Sequence, residues 1–282
     1  MSDPLHQDEL GRLELMLGSL RAGTDRAALG ECLHRLGEIH GERGDAQRAR
    51  SAFEEAAAAF RESGHRDGLA RSWYGLGVLE AQSGAPEASA RWMGQAAMAF
   101  QVAGNVRLEA LSRACLGETW AFSGHPARAL PEYQQSLSLF RQTGDDARVA
   151  SVLMSLAELQ ADAGEDEKAR ALFAEALPLI HQQGDFLGQA VCLLYLGETE
   201  LRTRAVKAAV DHLAKASSQL RTLGVAELLP RALWQEGLAR AVVGERETAE
   251  ARYLEAVSLY EGLGAREDAE RVREALRVLV PN

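Results

Sequence analysis

The chain has 282 residues, of which 46% are hydrophobic and 26% are charged, a composition typical of a globular protein that can bury a core. Its net charge of -10 argues against binding to DNA or RNA, which requires Lys and Arg at the phosphates, and against binding to anionic membranes. It has no apolar run as long as a membrane span, and its first residues lack the features of a signal peptide, so a cytoplasmic location is expected.

The first predicted element is a helix over residues 5–22. A helix-turn-helix unit follows, with helix A at about residues 27–42 and helix B at about residues 46–62. In both helices apolar side chains recur every three or four residues, which is the pattern of an amphipathic helix. Gly44 and Gly64 follow the two helices, where a glycine in the left-handed conformation can close the last carbonyls.

This unit recurs every 40 residues along the chain. Two series of glycines mark its turns: Gly44, Gly84, Gly124, Gly164, Gly244, and Gly64, Gly104, Gly144, Gly184, Gly224, Gly264. Six units therefore occupy residues 25–264, and a last helix over residues 266–279 has the register of helix A. The helices at 5–22 and 266–279 are predicted to cap the two ends of a single domain over residues 5–280.

A third series of glycines lies inside helix A, at Gly37, Gly77, Gly117, Gly197 and Gly237, with Ala157 in the remaining unit. A glycine in a helix interior is unfavourable by about 1 kcal/mol relative to alanine, so a close approach of helix B is expected to compensate. In the first unit, Ala49 and Ala56 are the small residues expected opposite the glycine. Phe53 is expected to fill the next layer.

Four departures from the repeat are expected to distort the structure. Arg204 stands where the other units have a turn glycine, and Glu236 replaces a repeated leucine. Pro131 and Pro178 fall inside predicted helices B, where proline removes a backbone hydrogen bond. Distorted turns or kinks are predicted at these positions.

The second unit reads Trp73-x2-Leu76-Gly77, then Gly84, Ser89, Met93 and Ala96. This pattern resembles the tetratricopeptide repeat (TPR) family, in a long form of about 40 residues rather than 34. The resemblance implies an all-α fold, a right-handed superhelical α-solenoid of six helix-turn-helix repeats plus a half-repeat helix at each end. It is only weakly specific for function, because the motif residues are packing residues. Scarce lysine with abundant Ala and Arg indicates a GC-rich, bacterial genome.

In TPR proteins the helices A line an inner groove that holds an extended or helical peptide. Transferred to this sequence, the groove residues are Glu38, Tyr74, Glu118, Met154, Glu158, Leu194, Glu198 and Trp234. Two interpretations of the glutamates remain open: a recognition surface for basic side chains of a partner, or an ordinary solvated helix face. The apolar members are expected to be anchors, although a register shift of one residue would place Trp234 in the core.

No catalytic or nucleotide-binding motif occurs in the sequence, so no enzymatic activity and no cofactor are expected. His34 and Glu38 have a spacing that could hold a metal, but no second His or Cys joins them, and no metal site is predicted. Cys32, Cys115 and Cys192 form no C-x-x-C pair and are expected to be free thiols.

The leading hypothesis is a scaffold for protein–protein interactions whose partner carries basic and apolar residues. The alternatives are a regulatory sensor or peptide-receptor module and an assembly chaperone. Bacterial peptide-pheromone receptors and maltose-type activators have a similar repeat architecture. The TPR clamp for acidic C-terminal peptides uses Lys, Arg and Asn, whereas His34 and Glu38 stand here, so that activity is predicted to be absent.

Overall fold

The computed structural model describes residues 4–279, with side chains from residue 8 onward, and these residues form fourteen α-helices and no β-strand. The helices are α1 Pro4–Ala22, α2 Arg26–Glu42, α3 Ala46–Ser63, α4 Arg66–Gln82, α5 Pro86–Ala103, α6 Val106–Phe122, α7 Pro126–Thr143, α8 Asp146–Asp162, α9 Asp166–Gln182, α10 Phe186–Arg202, α11 Val206–Leu223, α12 Leu229–Val242, α13 Arg246–Gly262 and α14 Arg266–Leu279. The predicted all-α repeat fold is confirmed: α2–α13 form six helix-turn-helix repeats, and α1 and α14 are the half-repeats.

Local sequence signals begin and end α2 and α3 close to the residues that the pattern predicted. The carboxylates of Asp25 and Asp45 precede α2 and α3 and accept hydrogen bonds from backbone N–H groups in the first turns, at 2.9 and 3.2 Å. After α3, Gly64 has φ +73°, and the N–H of His65 reaches back to the carbonyl of Phe60 at 2.9 Å. These hydrogen bonds satisfy polar groups that a free helix end would leave unpaired.

Arg204 adopts the left-handed conformation of the glycine that it replaces. Its φ is +62°, and it is the one non-glycine residue with positive φ among residues 4–279. Its N–H donates to the Leu201 carbonyl at 3.2 Å, and the next N–H donates to the Glu200 carbonyl at 2.7 Å, as in the glycine turns. The predicted distortion of this turn is therefore wrong, because the backbone keeps the hydrogen bonds and the arginine accepts a strained conformation.

The internal prolines do not end their helices, since α7 runs through Pro131 and α9 through Pro178, and the kinks expected there stay a prediction. The irregular helix is α12, at a position that the sequence analysis did not single out. Its first turn is lost: α12 begins at Leu229, immediately before Pro230, whereas the period of 40 places the start of helix A at residue 226. Proline is tolerated in a first turn, where its missing N–H has no helical partner.

A large side chain of helix B lies nearest to each of the repeated glycines inside helices A, and only at Gly237 does a small residue, Ala249, also come close, with its carbonyl 3.3 Å from an added Cβ. A Cβ built on Gly37 would lie 2.7 Å from the ring of Phe53, and one built on Gly77 would lie 2.9 Å from Met93. The same holds for Gly117, Gly197 and Gly237 against Tyr133, Leu213 and Tyr253. The predicted close approach is confirmed. The expected pairing with the small residues of helix B is wrong, because the large residue covers the glycine itself.

The chain divides into two compact units, which meet between Asp145 and Asp146. In the first unit α2 packs against α4 and α4 against α6, and in the second α8 packs against α10 and α10 against α12. No comparable packing joins successive helices B within the described residues. Within each unit the helices A therefore form the inner layer. The single domain over residues 5–280 stays a prediction.

Within the described residues, every helix is too short or too polar to span a lipid bilayer.

Candidate partner-binding surfaces

Two depressions lie side by side on the helices A of the first unit. One, of about 440 Å³, lies between α2 and α4 and is lined by Glu38 and Tyr74 of the predicted groove. The other, of about 550 Å³, lies between α4, α5 and α6 and is lined by Glu118. Val78 and Gln82 border both depressions, so the two are continuous.

The second of these depressions, which we call the α4–α6 pocket, has mainly apolar walls. Its lining residues are Val78, Ala81, Gln82, Gly84, Pro86, Met93, Cys115, Glu118, Thr119, Phe122 and Ser123. Phe122, at the end of α6, is 97% exposed, the highest exposure of any large hydrophobic residue with a described side chain. An unshielded aromatic ring beside an apolar depression is a typical feature of a binding surface.

Glu38 is held by groups of its own chain. Arg35 donates to its carboxylate at 3.0 Å, and the ring Nε2 of His34 lies 3.5 Å from it. The hydrogen bond to His34, and then that from Arg35, lower the pKa of Glu38 to about 2 against the opposing effect of partial burial. Arg35 in turn also binds Glu9, at 2.7 and 3.0 Å. Much of the negative charge of Glu38 is therefore already compensated.

In the second unit, Glu198 and Trp234 line a depression of about 750 Å³ together with Leu238 and Tyr260. Glu198 is buried and accepts two hydrogen bonds from Arg231, at 2.7 and 2.6 Å. The bonds to Glu198 raise the pKa of Arg231 despite its partial burial. Trp234 is half-buried, with one side against the hydrophobic core of this unit and the other toward the depression.

The other three predicted groove residues differ in burial. Leu194 is 1% exposed and belongs to the core of the second unit, so its assignment to the groove is corrected. Met154 is half-buried and lines a separate depression of about 410 Å³ with Leu187 and Val191. Glu158 is an exposed residue whose pKa is raised by desolvation and by the neighbouring carboxylate of Asp162.

The profile of the soluble NSF attachment protein (SNAP) family matches residues 31–184. The chain belongs to this family. The matched segment runs from α2 to the turn after α9, so it covers the repeats that carry both depressions of the first unit. Comparison with curated proteins gives no match for this SNAP-family chain.

Solved structures of low sequence identity share the fold of this SNAP-family chain. BtubC (BKLC) from P. vanneervenii is 19% identical with a TM-score of 0.66, over 79% of this chain and 93% of that one. The STAND protein PH0952 of Pyrococcus horikoshii, which has a tetratricopeptide repeat sensor, is 14% identical with a TM-score of 0.75. That match covers 89% of this chain but 39% of PH0952. A Rap protein complexed with competence and sporulation factor is 11% identical with a TM-score of 0.54, over 94% of this chain and 79% of that one.

The four predicted glutamates differ in burial. Glu118 and Glu158 are exposed, Glu38 is half-buried and binds Arg35, and Glu198 is buried and binds Arg231. The signal for Arg35 was present in the sequence, three residues before Glu38 on the same helix face. Arg231 was harder to find, because it lies 33 residues after Glu198 and reaches it from the next helix A.

The described residues contain no group of three His, Cys, Asp or Glu side chains that could hold a metal ion. Cys32, Cys115 and Cys192 are all free of disulfides. Burial raises the pKa of the Cys192 thiol to about 12, and burial also raises that of Cys32. Cys115 is half-buried and lies in the wall of the α4–α6 pocket, with the Tyr74 hydroxyl 3.5 Å from its sulfur.

Proposed function

We propose that the chain is a cytoplasmic, non-catalytic scaffold that binds a peptide or helix of a protein partner along its helices A. The observation that carries this proposal is the continuous depression across α2, α4 and α6, with the ring of Phe122 exposed at its edge. Binding sites are typically concave, mainly apolar and furnished with a few polar groups that orient the ligand. The groove of the proposal consists of Glu38, Tyr74 and Glu118 in the first unit. In the second unit it consists of Met154, Glu158 and Trp234.

The fold relatives support the same class of function. The Rap protein is known in a complex with competence and sporulation factor, and the repeats of PH0952 form a sensor. These two proteins also favour a second candidate, in which binding of a peptide by this chain regulates another protein. Both candidates use the same surface, so one experiment on that surface tests them together.

The test replaces single residues with the photocrosslinking amino acid benzoylphenylalanine in living cells. Phe122 is the position on the proposed surface, and Met98, 67% exposed on the helix B face of α5, is the matched control. We expect illumination to link a defined polypeptide to position 122 and not to position 98. Linkage from position 98 alone would exclude the helices A of the first unit as the working surface.

A further inference from the structure

Tyr260 differs from its counterparts in the other repeats, because it adds a hydroxyl at an apolar position. The residues at this position of helix B, all at 5% exposure or less, are Phe60, Phe100, Phe140, Ile180 and Leu220. Tyr260 is also buried, at 8% exposure. Among the residues that the structure describes, its hydroxyl has no hydrogen-bond partner. The last repeat therefore carries a polar group that its own packing does not use.

This hydroxyl lies in the depression beside Trp234, which we call the α12 depression. It is lined by Glu198, Leu201, Arg202, Glu227, Arg231, Trp234, Gln235, Leu238, Tyr260 and Asp268. Besides burial, the charges of Asp268, Arg231 and Glu198 act on the pKa of Tyr260, so its hydroxyl lies among these groups. Glu227 belongs to the lost first turn of α12. Two departures from the repeat, at Tyr260 and at the start of α12, therefore meet in one depression.

The charged groups around the Tyr260 hydroxyl already have counter-charges. Glu198 accepts two hydrogen bonds from Arg231, at 2.7 and 2.6 Å. Asp268 accepts one from Arg271, at 3.1 Å. Neither carboxylate leaves a full charge for a ligand to neutralise, so a neutral group fits beside the hydroxyl better than an ion.

The rest of the α12 depression combines compensated or screened charges with apolar surface. Arg202 donates to Asp166 at 2.6 Å. Glu227 is exposed, so water and salt screen its charge. Trp234 is half-buried and Leu238 is 40% exposed, and the two lie four residues apart on one face of α12. They offer an apolar contact next to the hydroxyl.

The Tyr260 hydroxyl is a donor in search of a neutral acceptor. Burial, and then the carboxylate of Asp268, raise the pKa of Tyr260, so the hydroxyl keeps its proton at neutral pH. In a protein partner the most frequent neutral acceptor is the backbone carbonyl. Carbonyls inside an α-helix are already bonded to N–H groups of the same helix, whereas those of an extended segment are free.

We infer that the α12 depression binds an extended segment of a protein partner, with a backbone carbonyl accepting from the Tyr260 hydroxyl and an apolar side chain on Trp234 and Leu238. The inference rests on the proposed function and narrows it, because that function allows either a peptide or a helix as the bound element. Tyr260 then selects an extended backbone, and the apolar contact supplies most of the buried area.

Fluorine NMR on the full-length protein with 5-fluorotryptophan tests the inference. The chain has four tryptophans, and Trp73, Trp92 and Trp120 all lie in the first unit. The Trp234 signal, assigned with Trp234→Phe, therefore reports on the α12 depression, and the other signals report on the first unit. The probe is the uncharged peptide acetyl-Gly-Gly-Leu-Gly-Gly-amide. Versions with lysine or glutamate in place of leucine test charge, and a lactam-bridged helix with the same leucine tests conformation.

We expect the leucine peptide to shift the Trp234 signal at lower concentration than the charged and helical probes. Tyr260→Phe should weaken its binding about two- to tenfold, the effect of one hydrogen bond between neutral groups. Three other repeats have phenylalanine at this position, so the variant should fold normally. Tyr253→Phe is the matched control, because it removes the hydroxyl of the other tyrosine of α13, which does not line the depression.

Equal effects of Tyr260→Phe and Tyr253→Phe would overturn the inference, as would tighter binding of a charged or helical probe. So would a Trp234 signal that does not move at the solubility limit of the leucine peptide, or shifts confined to the tryptophans of the first unit. Photocrosslinking at position 122 does not depend on these outcomes, so failure of the α12 depression is distinguishable from failure of the proposed function.

Discussion

Gly37 of α2 and Phe53 of α3 pack so closely that the Phe53 ring occupies the space next to the missing side chain. A Cβ on Gly37 would lie 2.7 Å from Cε1 of this ring, closer than van der Waals contact allows. Phe53 is 4% exposed and contacts the next helix A as well, where a Cβ on Gly75 would again lie 2.7 Å from the ring. One aromatic side chain therefore sets the spacing of two successive repeats.

Gly37→Ala should destabilise the protein although alanine is the better helix former. The enclosed ring cannot move away without cost, and overpacking of this kind costs about 1–3 kcal/mol. The gain in helix propensity is about 1 kcal/mol and does not offset it. Gly94→Ala in α5 is the matched control, because nothing lies within 4 Å of its added Cβ, and it should stabilise the protein by up to about 1 kcal/mol. Urea unfolding measures both, and equal effects would contradict the packing argument.

Arg204→Gly should stabilise the protein. A side chain in the left-handed region costs about 1–2 kcal/mol, of which the greater freedom of glycine in the unfolded chain returns part, about 0.4–1 kcal/mol. The reciprocal change is Gly164→Arg in the equivalent turn, where φ is +76° and the hydrogen bonds are the same. It should destabilise by a similar amount. If the two changes shift the free energy of unfolding in the same direction, the strain at Arg204 is not real.

Glu236 is a fully buried carboxylate and should confer pH-dependent stability. It accepts hydrogen bonds from Ser217 at 2.7 Å, Arg240 at 2.8 Å and Arg252 at 3.0 Å. Burial alone would raise the pKa of Glu236, but these three bonds outweigh it, and the pKa is lowered. The stabilisation is therefore present above the ordinary pKa of glutamate, about 4.3, and is lost as the pH falls through the lowered value.

Glu236→Gln should lower the free energy of unfolding at pH 7 by on the order of 3 kcal/mol, because it removes the buried counter-charge of Arg240 and Arg252 and leaves them only the more exposed Glu245 and Glu255. The difference from the wild type should shrink below about pH 4. Glu245→Gln removes a half-exposed partner of the same Arg240 and should cost at most about 1 kcal/mol. Denaturation curves between pH 3 and pH 7 measure both variants. If the difference in free energy of unfolding between Glu236→Gln and the wild type does not depend on pH, the Glu236 carboxylate is not the charged group that confers this stability.

The fold was readable from the sequence because one period governs both turns and packing. Asp25 and Gly64 mark helix ends by local chemistry, and helix A and helix B were placed within one residue of α2 and α3. The lost first turn of α12 was not predicted. A first-turn proline such as Pro230 is compatible with a normal helix start, as Pro86 and Pro126 show.

The candidate site was less predictable, because the period assigns a position but not its partners. Leu194 and Met154 share one repeat position, yet the first is a core residue and the second lines a depression. Glu198 and Glu158 also share a position, yet Glu198 is buried and accepts two hydrogen bonds from Arg231, whereas Glu158 is exposed. Such differences arise from single neighbours 30 to 40 residues away along the chain. The repeat pattern does not predict them, because it describes only what all repeats share.

Charge reversal should affect the exposed Glu118 and Glu158 differently from the buried Glu198. Glu118→Arg with Glu158→Arg should slow association with the partner crosslinked at position 122, and the effect should diminish with salt, because exposed charges mainly steer association. Glu198→Arg should instead lower stability, because it places a second cation beside Arg231. Stopped-flow binding at two salt concentrations and thermal unfolding distinguish these results. An effect of the double variant that does not depend on salt would argue against steering.

Truncation of Leu194 should mainly lower stability, whereas truncation of Trp234 should mainly lower the affinity for the partner. Leu194→Ala leaves a cavity in the core of the second unit and should cost about 2–5 kcal/mol of stability. Among the protein molecules that remain folded, its affinity for the crosslinked partner should be unchanged.

Trp234→Ala should weaken the affinity for that partner by about 2 kcal/mol if the depression beside Tyr260 is an anchor site, since buried aromatic anchors dominate binding. Part of the indole also packs on the core, so its stability should fall as well, but by less than that of Leu194→Ala. Isothermal titration combined with urea unfolding measures both quantities for each variant. Unchanged affinity of Trp234→Ala would restrict partner binding to the first unit, where Phe122 and the α4–α6 pocket lie.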